Sequence, residues 1–265
     1  MRSKNPRDRL SNEQSEQIEV DGAVTQTEGI SLPETMRIDL HCHTEASPDS
    51  ITPIEDIPDR CLVRGVQIQA ITDHHTLTGA QRLQEIVSKN NHPDLTIIVG
   101  EEITTRQGEL IGLFLKKKIE RGLTPRETVK AIKNQGGLVL LPHGFDPLRL
   151  PRLKAHARQE IVESIDIIET FNARISRPHW NRAAAEWAKT HGILQSAGSD
   201  AHTLEDIGSA WVEVEERPIK TPQDLMEALK GGVPVGKWTH PLIAYLYKTW
   251  DKIRRRSVNW FSELT

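Results

Sequence analysis

The chain has 265 residues, enough for one large domain with a sizeable core, and a formal net charge of −3 that provides no global attraction to nucleic acid. Its apolar runs, such as LVLLP at 138–142, fall far short of a bilayer span. Two cysteines, Cys42 and Cys61, lie outside any CxxC pattern, which argues against a redox pair or a thiolate zinc knot.

Residues 1–34 are rich in Ser, Asn, Gln, Glu and Asp, a composition that predicts a mobile polar tail because it buries too little surface to offset ordering entropy. The segment carries charge but no apolar h-region, so the expected location is the cytoplasm. A folded domain is predicted over 35–236, where short β-type runs alternate with helical stretches: MRIDLH, VQIQAIT, LTIIV, ELIGLFL, LVLLP, DIIET, ILQSAG and AWVEV. Such alternation predicts a parallel sheet with crossover helices. Thr52-Pro53, Thr124-Pro125 and Thr221-Pro222 are each followed by a carboxylate at the third helical position, the grammar of a capped helix start. The final stretch, 237–265, reads as an amphipathic basic helix with Leu242, Ile243, Leu246, Trp250 and Ile253 on one side. Its apolar stripe either packs on the barrel or contacts a membrane surface or a protein partner.

About eight strands with intervening helices suggest a closed or nearly closed barrel, whose chemistry gathers at the C-terminal strand ends. The runs lead into His41 and His43, Asp73 and His74, Glu101 and Glu102, His143, Asn172, and Asp200 and His202. In an extended segment residues two apart share a face, so His41 and His43 converge, and Asp200 and His202 repeat that spacing. If Asp49, Glu102, Glu109 and Asp200 meet in one pit, divalent cations are the natural way to keep them ionised together. Imidazole and carboxylate donors without thiolate suit zinc, manganese or iron.

The segments IDLHCHTEASPDS, AITDHHT, GEEITT, LLPHGFDP, IETFNAR and GSDAHT, in this order, resemble the motifs of the PHP (polymerase and histidinol phosphatase) superfamily over roughly 37–214. The resemblance implies a distorted (β/α)7 barrel and two or three divalent metal ions. By motif position it implies one metal on His41, His43, Glu102 and Asp200, a second bridged by Glu102 and held by His143, and a third on Asp49, His74 and His202. Relatives often carry histidine at the position of Glu109, which is kept here as a carboxylate ligand, and aspartate at the position of His75. Asp73 is expected to orient an adjacent ligand histidine. The motifs are separated by no long insertion of the kind that gives some relatives a capping domain.

The expected activity is hydrolysis of a phosphomonoester or nucleotide by a metal-bridging hydroxide, with Glu102, Asp200 and His202 in the reacting centre. Arg174 and Arg177 are either phosphate ligands or solvated loop charges. The rivals are an exonuclease acting on RNA or DNA and a catalytically silent metal-binding scaffold. Against the exonuclease stands the lack of any dense Lys/Arg stripe in the barrel sequence.

Overall fold

The computed structural model describes residues 34–89 and 94–243, together with Leu246 and Thr249. The predicted tail therefore lies almost wholly outside the described residues, as does most of the basic C-terminal segment. Leu242, Ile243 and Leu246 of that segment are described, and all three are exposed.

Strands β1 (Thr35–Asp39), β2 (Val66–Ile71) and β3 (Thr96–Thr105) pair in parallel. A hairpin then returns antiparallel as β4 (Gly108–Leu113), and β5 (Leu138–Leu141) runs antiparallel to it. Strands β6 (Ile167–Asn172) and β7 (Leu194–Gly198) continue parallel to β5. At the other edge β8 (Ala210–Glu215) pairs antiparallel with β1, and β9 (Val233–Gly236) with β8. Every strand except β4 and β8 thus points the same way, in the order β7-β6-β5-β4-β3-β2-β1-β8-β9.

The end of β1 meets the end of β7: Leu40 N donates to Ala197 O at 3.2 Å, Asp200 N to His41 O at 2.8 Å and His43 N to Ala201 O at 2.9 Å. These bonds curl the mixed sheet into a nearly closed barrel, the distorted form that the motifs imply. The antiparallel β3–β4 hairpin and the β8–β9 pair depart from a purely parallel sheet. Strand β3 also runs on through Thr105, so Glu101 and Glu102 lie inside a long strand rather than at the end of LTIIV.

The apolar runs are continuous because both faces of their strands are covered. In β5, Leu138 and Leu140 enter the barrel interior with Ile38, Ile98 and Val212, while Val139 and Leu141 pack outward among residues that include Ile132, Ala157 and Ala184. The outer layer comprises α1 (Ile57–Arg64), α2 (Thr78–Lys89), α3 (Pro125–Lys133), α4 (Ala155–Glu160), α5 (His179–His191) and α6 (Pro222–Leu229). Thr124 and Thr221 form the expected capping boxes, with Glu127 and Asp224. Thr52 does not. A 3-10 turn at Ile54–Asp56 precedes α1, and the buried Thr52 hydroxyl instead lies 3.1 Å from Ser50 Oγ, stabilising the loop that carries Asp49.

Candidate metal centre

Alternation along the strand ends turns His41, His43 and Glu102 into one pit, the loops after β1, β2, β5 and β7 add Asp49, His74, His143, Asp200 and His202, and β4 adds Glu109. All the nominated ligands come together there. Within each of five sets, one donor atom per residue lies within 4.8 Å of the others: His41–His43–Glu102, His41–His143–Asp200, His43–Asp49–His74, His43–Asp200–His202 and Glu102–Glu109–His143. Glu102 is the hub. Its Oε2 lies 3.3 Å from His41 Nε2, 3.2 Å from His43 Nε2 and 3.6 Å from His74 Nε2, and its Oε1 lies 3.0 Å from His143 Nε2. Glu109 closes the far side, 3.8 Å from His74 Nδ1 and 3.9 Å from His143 Nε2.

Two strained backbones aim these groups. His143 has φ 27° and Asp200 φ 51°, a region that costs an ordinary side chain energy and that recurs at functional sites. Glu169 secures the local frame: it takes His41 Nδ1 at 2.9 Å on one oxygen, and His143 N at 2.7 Å and Asn172 Nδ2 at 3.0 Å on the other. Gly198 leaves room for this contact, since a Cβ there would fall 2.3 Å from Glu169 Oε1 and 2.4 Å from His41 Cβ.

Hydrogen-bond polarity tests whether the cluster suits cations. A carboxylate oxygen only accepts, so Glu169 places a proton on His41 Nδ1 and leaves Nε2, which faces Glu102 and His43, as the atom that would take a cation once its own proton leaves. His202 Nδ1 lies 2.8 Å from Asp200 O and its Nε2 2.7 Å from Asp49 Oδ2. Burial and the neighbouring His43 hold His202 down to about 4, so it is neutral at pH 7. A neutral imidazole and a carboxylate this close offer one nitrogen and one oxygen donor to a shared cation. Elsewhere the carboxylates draw protons instead. Burial opposes charge on His41, but Glu169, Asp200 and Glu102 drive its pKa well above the ordinary value, and His74 rises to about 9 as Asp49 and Glu102 outweigh burial. Burial and the charge of Glu102 push Glu109 up to about 8. The donor set therefore fits several divalent ions with oxygen and nitrogen ligands.

Asp73 does not orient a ligand histidine. It accepts from Thr44 N at 2.6 Å and Thr44 Oγ1 at 2.7 Å, shaping the turn after the His41–His43 pair. His75, at φ 57°, sits outside the five sets, with Nε2 3.3 Å from Thr104 Oγ1. Glu101 points away from the cluster. Completely buried, it accepts from Ile119 N at 2.8 Å, and burial raises its pKa to about 7.

Sequence reasoning missed Glu169 and Arg149. A glutamate inside the apolar run DIIETF was a usable signal, because an acid on a doubly covered strand needs a partner. Arg149 had no such mark. It follows His143 in a loop, and Nη2 donates to Asp200 Oδ2 at 2.5 Å. Arg149 also lines a cleft of about 750 Å³ together with Arg174, Arg177, Ser176 and Trp238. Arg174 does not touch the cluster; its Nη1 lies 3.4 Å from Asp206 Oδ2.

Among the described residues no helix is long and apolar enough to cross a membrane. An uncharacterised protein of Methanocaldococcus jannaschii is 33% identical over 193 residues, which is 72% of this chain and 75% of that one. A 5'-3' exoribonuclease of Haemophilus influenzae is 25% identical over 230 residues, 82% of this chain and 77% of that one. Among solved structures, PsfC of Pseudomonas syringae superposes with a TM-score of 0.62 at 18% identity, over 84% of this chain and 99% of that one. A Bacteroides vulgatus two-domain protein, described as containing a predicted PHP-like metal-dependent phosphoesterase, superposes with a TM-score of 0.60 at 17% identity, over 82% and 70%. Residues 39–197 match the PHP domain and 178–234 the PHP-associated region. With the clustered histidines and carboxylates inside the matched span, the chain belongs to the PHP family.

Proposed function

We propose that this chain is a metal-dependent phosphoesterase that hydrolyses a phosphomonoester or nucleotide. The observation that carries the reading is the convergence of imidazole and carboxylate donors on one pit around Glu102, beside a cleft lined by three arginines. Divalent ions, when bound, lower the pKa of water and neutralise phosphoryl oxygens. His41, His43, Glu102 and Asp200 would hold one ion, Glu102, Glu109 and His143 a second, and Asp49, His74 and His202 a third.

The remaining work falls to side chains around the ions. Arg149 stands nearest, and its guanidinium offers the fork geometry that matches a phosphate edge. Arg174, kept in place by Asp206, and Arg177 would take the outer oxygens. Glu169 and Asn172 hold His41 and Asp200 in register: Asn172 Nδ2 reaches Asp200 Oδ2 at 3.2 Å while its other contact is Glu169.

A second reading, an exonuclease, is supported by a further basic groove that adjoins this cleft. A phosphate-release screen of the protein reconstituted with manganese, zinc or iron tests the main reading, using phosphomonoesters, nucleotides and short oligonucleotides. Metal-dependent release that is lost with chelation is expected. Tight metal binding without release from any substrate would favour the silent scaffold.

A further inference from the structure

A second groove of about 730 Å³ meets the arginine-lined cleft at Trp238 and His240, which line both. Arg37, Arg64 and Lys237 contribute its cations, and Trp211 its other indole. None of these three cations has an ion-pair partner within 4.0 Å among the described residues. Glu205 and Asp206 also line the groove, but Asp206 is engaged by Arg174. The Arg37 guanidinium lies 4.3 Å over the Trp211 ring, and its Nη1 donates to Arg64 O at 2.8 Å, which fixes a flat cationic surface. Trp238 is held by its own Nε1 bond to Ile175 O at 2.7 Å, and its ring lies 5.5 Å from that of His240.

From Asp200 the path runs through Arg149 to the first cleft, past Trp238 and His240, and on to Arg64 and Lys237. Cations alternating with flat rings along a groove match one class of ligand: a single nucleic-acid strand, whose phosphates recur at regular intervals and whose bases stack on any π face. We infer that the groove formed by Arg37, Arg64, Lys237, Trp211 and Trp238 is a subsite for the nucleotides that follow the scissile phosphate of a short single-stranded oligonucleotide. The inference deepens the exonuclease form of the phosphoesterase reading and rests on it for the direction of the strand. A lone mononucleotide fills only the first cleft, so affinity should grow with strand length. The cations come from β1, the end of α1 and the segment after β9, far apart in sequence. This dispersal is why no Lys/Arg stripe marks the groove in the primary structure.

The test is direct binding by the full-length chain in chelator, where no turnover occurs, read by fluorescence anisotropy of labelled strands of one to six nucleotides. Arg64→Glu and Lys237→Glu, both at exposed positions, are compared singly and together with Lys189→Glu on α5 as a control. The double variant should weaken the six-nucleotide strand at least about tenfold and lower the salt dependence of log Kd by roughly 0.7 for each phosphate that is no longer neutralised. Mononucleotide binding and the Lys189 control should not move. An abasic strand of equal charge should bind several-fold more weakly, because it cannot stack. Equal affinity for one and six nucleotides, or an unchanged Kd in both single variants and the double, would overturn the subsite. Abasic strands or polyglutamate binding as tightly as the oligonucleotide would make it a general polyanion surface and overturn the assignment to nucleic acid. Since binding is read without catalysis, a protein that hydrolyses nothing but binds by length would sink the phosphoesterase reading alone.

Discussion

His202 Nε2 and Asp49 Oδ2 stand 2.7 Å apart, while His202 Nδ1 lies 2.8 Å from the carbonyl of Asp200. The pair offers a nitrogen and an oxygen donor to one cation. Asp49→Asn keeps the shape of the side chain and removes its charge. Because the Asp49 charge also supports protonated His74, the metal-free variant should melt lower near pH 7, by about 2–4 °C, the shift expected for about 1 kcal/mol in a domain of this size. Its affinity for divalent metal should fall at least about tenfold. Unchanged metal content at equal ion activity, measured by elemental analysis, would remove Asp49 from the ligand set.

Protons and metals compete for the same pit. The folded pKa of His74, about 9, lies above its ordinary value near 6.5, and those of His41 and His43 are raised too. The stability that His74 contributes to the metal-free protein is therefore complete below about 6.5 and disappears as pH rises through about 9. Thermal melts between pH 6 and 10 should show this decline in chelator and a weaker one with metal. Metal uptake at pH 7 should release protons, so affinity should rise with pH, as calorimetry in buffers of different ionisation enthalpy can check. Uptake without proton release would contradict the geometry.

Glu101 and Glu102 are adjacent, yet alternation sends them to opposite faces of β3. Glu102→Gln should lower hydrolysis at least about 100-fold, because even groups that only support metal ligands are worth 10 to 100-fold. Glu101→Gln should retain activity. The folded pKa of Glu101, about 7, exceeds the ordinary carboxylate value, so its ionisation destabilises the fold progressively above pH 4.5 and fully above 7. The amide variant should accordingly gain stability over the natural chain at pH 8, by at most ~3 kcal/mol. Equal loss of activity in both variants would mean that the strand register is misassigned.

Arg149 and Arg174 differ in their distance from the cluster. Loss of a hydrogen bond to a charged phosphate costs about 1.5–3 kcal/mol, equivalent to roughly 10 to 150-fold in kcat/KM. Arg149→Ala should reach the upper part of that range and Arg174→Ala the lower part, with metal content kept in both. Unchanged kinetics in Arg174→Ala would leave it as the partner of Asp206 and no more.

Glu169 touches no other ligand's donor atom but holds the Nδ1 proton of His41. Glu169→Gln keeps the shape, yet an amide oxygen is a weaker acceptor, and the His41 ring loses basicity and orientation. Metal affinity should drop about 10 to 100-fold with a small change in melting temperature. A melting temperature reduced by much more than the metal affinity would make Glu169 a folding residue.

The candidate ligands were legible in the sequence because their signals are local. Residues two apart on an extended segment share a face whatever surrounds them, so His41 with His43 and Asp200 with His202 announce themselves at the ends of apolar runs. The capping boxes at Thr124 and Thr221 are local in the same sense, and the order of motifs implied the distorted barrel. Thr52 shows where local grammar fails: its signature was complete, yet burial against Ser50 won over capping. What only the tertiary structure decided are contacts between residues far apart in the chain. Asp49 and His202 are separated by 153 positions, His41 and Glu169 by 128. Arg149 reaches Asp200 only because β5 and β7 lie in one curled sheet, and the groove of Arg37, Arg64 and Lys237 exists only where β1, α1 and the segment after β9 meet. A side chain's type and spacing reveal what it can bind, but which carboxylate sets a tautomer, and which cation faces a phosphate, depends on chain closure over long loops, and no local pattern encodes that closure.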